Sequence, residues 1–183
     1  GSTLLSAGAD GSVLAWKTGR LRRDRAQFLL PGQVQAWCFA PDSASVLTLS
    51  PKGRISRWRG QHFEEEEILI ETAEVLTRRN PAIFSDDGRL LALVNAQDTV
   101  SIWDLAKGVQ CSTLKGNGGP LSPLAFLPGT SEILTQQRGR GDEVTRWNAL
   151  TGTRLSSWNG QPARGPQPVA GISQDGRWLV TAD

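Results

Sequence analysis

The sequence predicts an all-β fold in which one antiparallel four-stranded sheet recurs about four times. Three observations predict it. Trp16, Trp58, Trp103 and Trp147 recur 42, 45 and 44 residues apart. Each is preceded by an apolar run and each ends a short alternating stretch, such as Val100-Ser101-Ile102-Trp103. Between run and tryptophan lies a turn signal: Asp10-Gly11, Lys52-Gly53, Gln97-Asp98 or Gly141-Asp142. A period of 40–45 residues with short strands is the blade period of a β-propeller.

Each strand has its own warrant. The runs Leu4-Leu5, Val46-Leu47-Thr48-Leu49, Leu90 to Val94, Ile133-Leu134 and Trp178-Leu179-Val180 are apolar at successive positions. That pattern predicts an inner strand buried on both faces. The stretch ending in tryptophan alternates, as a strand's side chains point to opposite faces. Asp-Gly and its relatives predict a type I′ hairpin between the two, because that turn needs positive φ. Upstream, Cys38 to Asp42, Ile83 to Gly88, Ala125 to Gly129 and Gly171 to Gly176 read as a strand entering a tight turn. After each tryptophan comes a turn and a more polar fourth stretch, such as Val109 to Leu114. Four strands joined by short turns form an antiparallel meander, and copies stacked side by side bury what one sheet cannot. The connection from Trp58 to Pro81 is longer than its counterparts, which predicts an insertion or a long outer strand.

These phrases, recurring in register over nearly the whole chain, resemble the WD-repeat family, and Trp103-Asp104 matches the dipeptide that names it. The resemblance implies a propeller of four-stranded blades. The chain departs from the family at a histidine that often joins a buried hydrogen-bonded set with the tryptophan, a Ser or Thr and a turn aspartate. Gln33, Asn117 and Gln161 align there, and amides can both donate and accept. Asp10 matches the turn aspartate in place, whereas Asp98 and Asp142 sit one residue later. Trp16, Trp58, Trp103, Trp147 and Asp10 are therefore read as structural repeat residues. Trp37 and Trp178 stand at apolar positions of other repeats and are expected to be buried. Trp158 ends an outer strand and is expected to be partly exposed.

Residues 1–2 read as a cloning scar and 3–183 as the repeat segment, with a fifth repeat cut after Asp183. Four periods plus one redundant strand leave three expectations. The chain is a partial propeller from a longer parent, a half-ring that pairs with a second chain, or a small ring closed alone. An open edge strand in the first two cases needs a partner.

Composition narrows function. The 183 residues carry 20 basic and 18 acidic side chains, a net charge of +2, which gives no reason to expect nucleic acid or an anionic membrane. Cys38 and Cys111 stand far apart and are expected to be buried free thiols. No run approaches the ~20 apolar residues of a membrane helix, and a cytoplasmic location is expected. The lone histidine, His62, lies in a turn, and no tyrosine is present. Histidine is the usual acid–base group, so no catalytic residue is assigned and the chain is not expected to be an enzyme. No ligand-spaced cysteines and no phosphate loop point to a metal or cofactor. Glu64 to Glu67 and Arg22 to Arg25 read as charged outer strands that deter edge pairing, with an acidic docking patch as the alternative for the first.

What remains is a protein-interaction scaffold. The resemblance implies that turns between second and third strands, and loops between blades, share one binding face. Arg138, Arg140, Asp142, Asn117, Gln161 and Arg164 are expected on it. Arg140-Gly141-Asp142 is a three-residue match to an adhesion triplet and falls in an ordinary turn. The alternative function is an oligomerisation element in which half-propellers pair as a homodimer through open edges.

Overall fold

The apolar runs and alternating stretches become strands, and in each sheet the turns bring neighbours together in chain order. The computed structural model describes residues 3–7, 13–17, 27–29, 33–42, 44–60, 63–72, 82–137, 143–159, 169–173 and 175–182. Among them are seventeen strands in five antiparallel sheets and no helix. The chain divides into two compact units, Gly1–Val75 and Leu76–Asp183.

The first unit holds two sheets. One joins β1 (Thr3–Ala7), β2 (Val13–Lys17) and β3 (Gln27–Leu29). The other joins β4 (Ala36–Phe39), β5 (Val46–Leu49), β6 (Arg54–Arg59) and β7 (Glu65–Glu71). The second unit holds three. Two are four-stranded: β8 (Ala82–Phe84), β9 (Leu90–Val94), β10 (Val100–Asp104) and β11 (Val109–Leu114), then β12 (Leu121–Phe126), β13 (Glu132–Gln137), β14 (Glu143–Asn148) and β15 (Thr153–Asn159). The last pairs β16 (Val169–Ile172) with β17 (Leu179–Ala182). The fold is thus all-β, made of four-stranded antiparallel blade-like sheets.

Register repeats from sheet to sheet. Trp16 lies opposite Leu4, Trp58 opposite Val46, Trp103 opposite Leu91 and Trp147 opposite Ile133. The doubly apolar runs are buried throughout in β5 and β9, as their composition requires. The outer strands β7, β11 and β15 each meet their neighbour through a register shift, a bulge that spoils a free edge for further pairing.

In the second unit the sheets stack by one rule. The side of the β8–β11 sheet that faces away from Trp103 supplies Ala92, Val94, Val100, Ile102 and Leu114. They form one core with Phe126, Ile133 and Trp147 from the tryptophan side of the β12–β15 sheet. The far side of that sheet, with Leu124, Leu134 and Val144, packs in turn against Ile172 and Leu179. Burying each such Leu, Ile or Val contributes about 1.5–3 kcal/mol before entropy is counted. In the first unit, Val46, Trp58 and Phe63 form a core with Val34, Trp37 and Phe39 on the tryptophan side of the β4–β7 sheet.

Three expectations need correction. The β5–β6 and β9–β10 turns are not type I′. Ser50 and Asn95 close them by accepting from Gly53 and Asp98, and each has one left-handed residue, Gly53 at φ 76° or Asp98 at φ 57°. That is a type I turn followed by a left-handed residue, the usual three-residue hairpin. Trp178 and Val180 are not buried but 72% and 66% exposed. Leu179 between them packs inward, so one face of β17 is covered and the other is bare. Cys38 and Cys111 are free thiols but half-buried. Cys111 lies at the β11 register shift, where its Sγ donates to the Ile102 carbonyl, and burial raises its thiol pKa.

Candidate functional site

The polar rim of the second unit is built by residues that end strands. β13 ends in Gln137, and its carboxamide Oε1 accepts the backbone N–H of Asn117 at 2.7 Å. The Asp98 carbonyl accepts the N–H of Leu121 at 3.0 Å. The loop from Lys115 to Pro120 is therefore held at both ends by the hairpins of two neighbouring sheets. Gly116 makes the close approach feasible, because a Cβ there would stand 2.7 Å from Gln137 Oε1. Lys115, Asn117 and Gly118 are exposed along this loop.

The rim brings one sequence-predicted residue, Asn117, beside the strand end that leads into Arg138. Arg138, Arg140, Asp142, Gln161, Arg164 and Asp10 lie outside the described residues, as do His62 and the Arg22 to Arg25 run. The β13–β14 hairpin that contains Arg138, Arg140 and Asp142 is two residues longer than its counterparts, judged by the pairing of Ile133 with Trp147 against that of Val46 with Trp58 and Leu91 with Trp103. Gln33 and Asn117 are both exposed. Gln137 was missed by sequence reasoning. A signal existed: Ser50 and Asn95 occupy the same step of their own repeats, and both bind the backbone of the following turn.

The structural tryptophans differ in their bonding. Trp58 Nε1 donates to Thr48 Oγ1 and Trp147 Nε1 to Thr135 Oγ1, both at 2.8 Å. Trp103 Nε1 is buried without a partner. Leu93 stands where the other two sheets have threonine.

Part of the acidic run is engaged across the sheet. Glu67 pairs with Arg57 and Arg59, at 3.7 and 3.1 Å, and Ser56 Oγ donates to Glu66 at 2.6 Å. Arg54 pairs with Glu71 at 3.0 Å. Glu66, Glu67 and Glu71 of β7 are thus engaged within their own sheet. Beside them, on the tryptophan side of the β4–β7 sheet, lies a cleft of about 730 Å³ bordered by Gln33, Thr48, Lys52, Arg54 and Glu66. Most of its polar groups bond each other, which leaves few to grip a ligand.

No protein-family model and no curated protein sequence matches the chain. Among the described residues, no three His, Cys, Asp or Glu side chains converge as a metal site, and no helix is long and apolar enough to cross a membrane.

Proposed function

We propose that the chain is a WD-repeat module that holds other proteins through its polar rim. The observation that carries this reading is the loop from Lys115 to Pro120, exposed at Lys115, Asn117, Gly118 and Pro120 yet tethered by Gln137 and Asp98. A loop held by rigid sheets is a pre-organised contact surface, and pre-organisation lowers the ordering cost of binding. Partners dock there, and the sequence assigns Arg138, Arg140, Gln161 and Arg164 to the same binding face. Protein docking needs no cofactor, and the module works inside the cell.

The test is proximity capture with the 183-residue chain in three forms. They are wild type, a rim variant with Asn117, Arg138, Arg140 and Arg164 changed to Glu, and a control with Glu65→Lys on the β7 edge. Proteins captured by wild type and control but lost from the rim variant support the reading. A capture profile identical in all three removes the rim as the docking surface.

A further inference from the structure

Asparagine followed by glycine is a chemically unstable step in a polypeptide. The glycine nitrogen can close on the asparagine side-chain carbonyl, because no Cβ hinders its approach. The chain has five asparagines, and two of them precede glycine, Asn117-Gly118 and Asn159-Gly160. The other three are poorly placed for this chemistry. Asn80 precedes Pro81, whose nitrogen carries no proton to give up. Asn95 is buried, its Oδ1 accepting from Gln97 and Thr99 and its Nδ2 donating to Ser101. Asn148 Oδ1 accepts the N–H of Thr151.

The two Asn-Gly steps differ in what holds them. Asn159 closes β15, where it pairs with Glu143 across the sheet. Strand pairing fixes the backbone that has to turn for the ring to close, so reaction there waits on local opening. Asn117 and Gly118 lie outside any strand, both exposed in the loop from Lys115 to Pro120. The Asn117 N–H is held by Gln137, while its carboxamide bonds none of the described residues. Gly118 stands at φ 99°, with nothing within 4 Å of where a Cβ would be. Its N–H, the nitrogen that would attack, bonds none of the described residues either.

We propose that Asn117-Gly118 is a modification site at which the folded chain deamidates itself, turning a neutral rim residue into aspartate or isoaspartate. The Gly118 nitrogen gives its proton to water or hydroxide and bonds to Cγ of Asn117. The bond from Cγ to Nδ2 breaks, and the side-chain nitrogen leaves as ammonia. Water then opens the five-membered succinimide. Attack at Cγ gives aspartate, and attack at the main-chain carbonyl carbon gives isoaspartate, whose backbone runs through Cβ. Water is consumed and ammonia released, with no oxidant or reductant. Either product adds a carboxylate to the loop that carries Lys115. Isoaspartate also inserts a methylene between the two tethers, the Asn117 N–H on Gln137 and the Leu121 N–H on Asp98. The chemistry is independent of whether the rim holds another protein.

The test incubates the full 183-residue chain at mildly alkaline pH, folded and in urea, with no partner added. Peptide mapping by mass spectrometry follows each asparagine, and isoaspartate methyltransferase labels the rearranged product. In the folded chain Asn117 is expected to convert about tenfold or more faster than Asn159, the margin that one net strand hydrogen bond confers. In urea the two are expected to convert at similar rates, since pairing no longer separates them. Asn117→Gln lengthens the side chain by one methylene, disfavours the five-membered closure, and is expected to silence the site while leaving the Gln137 clamp to its backbone N–H. An Asn117 that stays amidated in the folded chain, or converts no faster than Asn159, overturns the inference. A ratio equally large in urea assigns the preference to neighbouring residues and overturns the part given to the fold.

Discussion

Trp147 Nε1 donates a 2.8 Å hydrogen bond to Thr135 Oγ1 across two strands, and the pair is buried. Trp58 repeats the bond with Thr48. Trp103 has Leu93 in that place, and its N–H is left unpaired. Changing each tryptophan to phenylalanine separates hydrogen bonding from bulk. Trp58→Phe and Trp147→Phe strand a buried threonine hydroxyl, a cost of about 1–3 kcal/mol beyond the lost volume. Trp103→Phe removes an unpaired donor and escapes that cost. Urea denaturation is expected to rank Trp103→Phe as the mildest by about 1–2 kcal/mol. Equal losses for all three would show that the bonds contribute nothing net.

Asp98 sits at φ 57°, in the hairpin position that Gly53 fills in the preceding sheet. A left-handed backbone costs a non-glycine residue about 1–2 kcal/mol, less for Asp than for a branched side chain. Asp98→Gly relieves it but adds freedom to the unfolded chain, so its net effect is expected within about 0.5 kcal/mol of zero. Asp98→Val is expected to lose about 1–2 kcal/mol, because Cβ branching does not fit the left-handed region. Paired thermal melts measure the difference. A valine variant as stable as the glycine variant would contradict the strained-turn account.

Much of this was readable in advance because burial follows pattern. The recurring tryptophans fell in one register, and the runs at Val46 and Leu90 became strands buried on both faces. What stayed hidden depends on neighbours far away in sequence. Trp178 reads like an inner-strand residue, but its face is bare. Phe63 adopts φ 56° at the step of the repeat where Gly108 and Gly152 stand, and its packing on Val46 and Trp58 overrides the backbone preference. The glutamate run read as a charged outer strand and stands on β7, but its cross-strand partners were hidden until the β6–β7 register set Arg57 against Glu67 and Arg59 against Glu65. Of the candidate rim, Asn117 was legible. Gln137 was not, because its role depends on a loop from the neighbouring sheet.

Asp104 caps the turn after β10. Its Oδ1 accepts the N–H groups of Ala106 and Lys107, both at 3.1 Å, and Lys107 Nζ lies 3.4 Å from Oδ2. Burial pushes its pKa up, and the N–H groups and ammonium outweigh it, so the carboxyl stays below its ordinary value. A folded pKa below the unfolded one gives stability that is complete above the unfolded carboxylate value, about 3.9, and is lost as pH falls through the folded value. Asn148 plays the same part in the next sheet with a neutral amide, accepting from Thr151. Asp104→Asn is therefore expected to keep the turn and flatten the loss of stability below about pH 4. Asp104→Ala loses about 1–2 kcal/mol at neutral pH from unpaired N–H groups. Denaturation midpoints from pH 6 to pH 3 check both. An Asn variant whose acid loss matches wild type would assign that loss to other carboxylates, with Asp42, lowered by hydrogen bonds from Ser45 and Ala44, the next to examine.

The clamp between Gln137 and Asn117 makes a prediction that two unrelated substitutions share. Gln137→Leu removes the acceptor and leaves the Asn117 N–H to solvent. Gly116→Ala keeps the glutamine but puts a methyl group 2.7 Å from its Oε1. The long side chain can swing aside, so the strain is shed by breaking the clamp and not by distorting β13. Both variants are expected to speed hydrogen exchange at Asn117 about tenfold, the equivalent of one net hydrogen bond of ~1.4 kcal/mol. Exchange in β9 and β13 is expected to stay at wild-type rates, since the Asp98–Leu121 bond still ties the far end of the loop. If the Asn117 amide exchanges no faster in either variant, the loop is held by something other than Gln137. If β13 loosens with it, the rim and the core open as one unit.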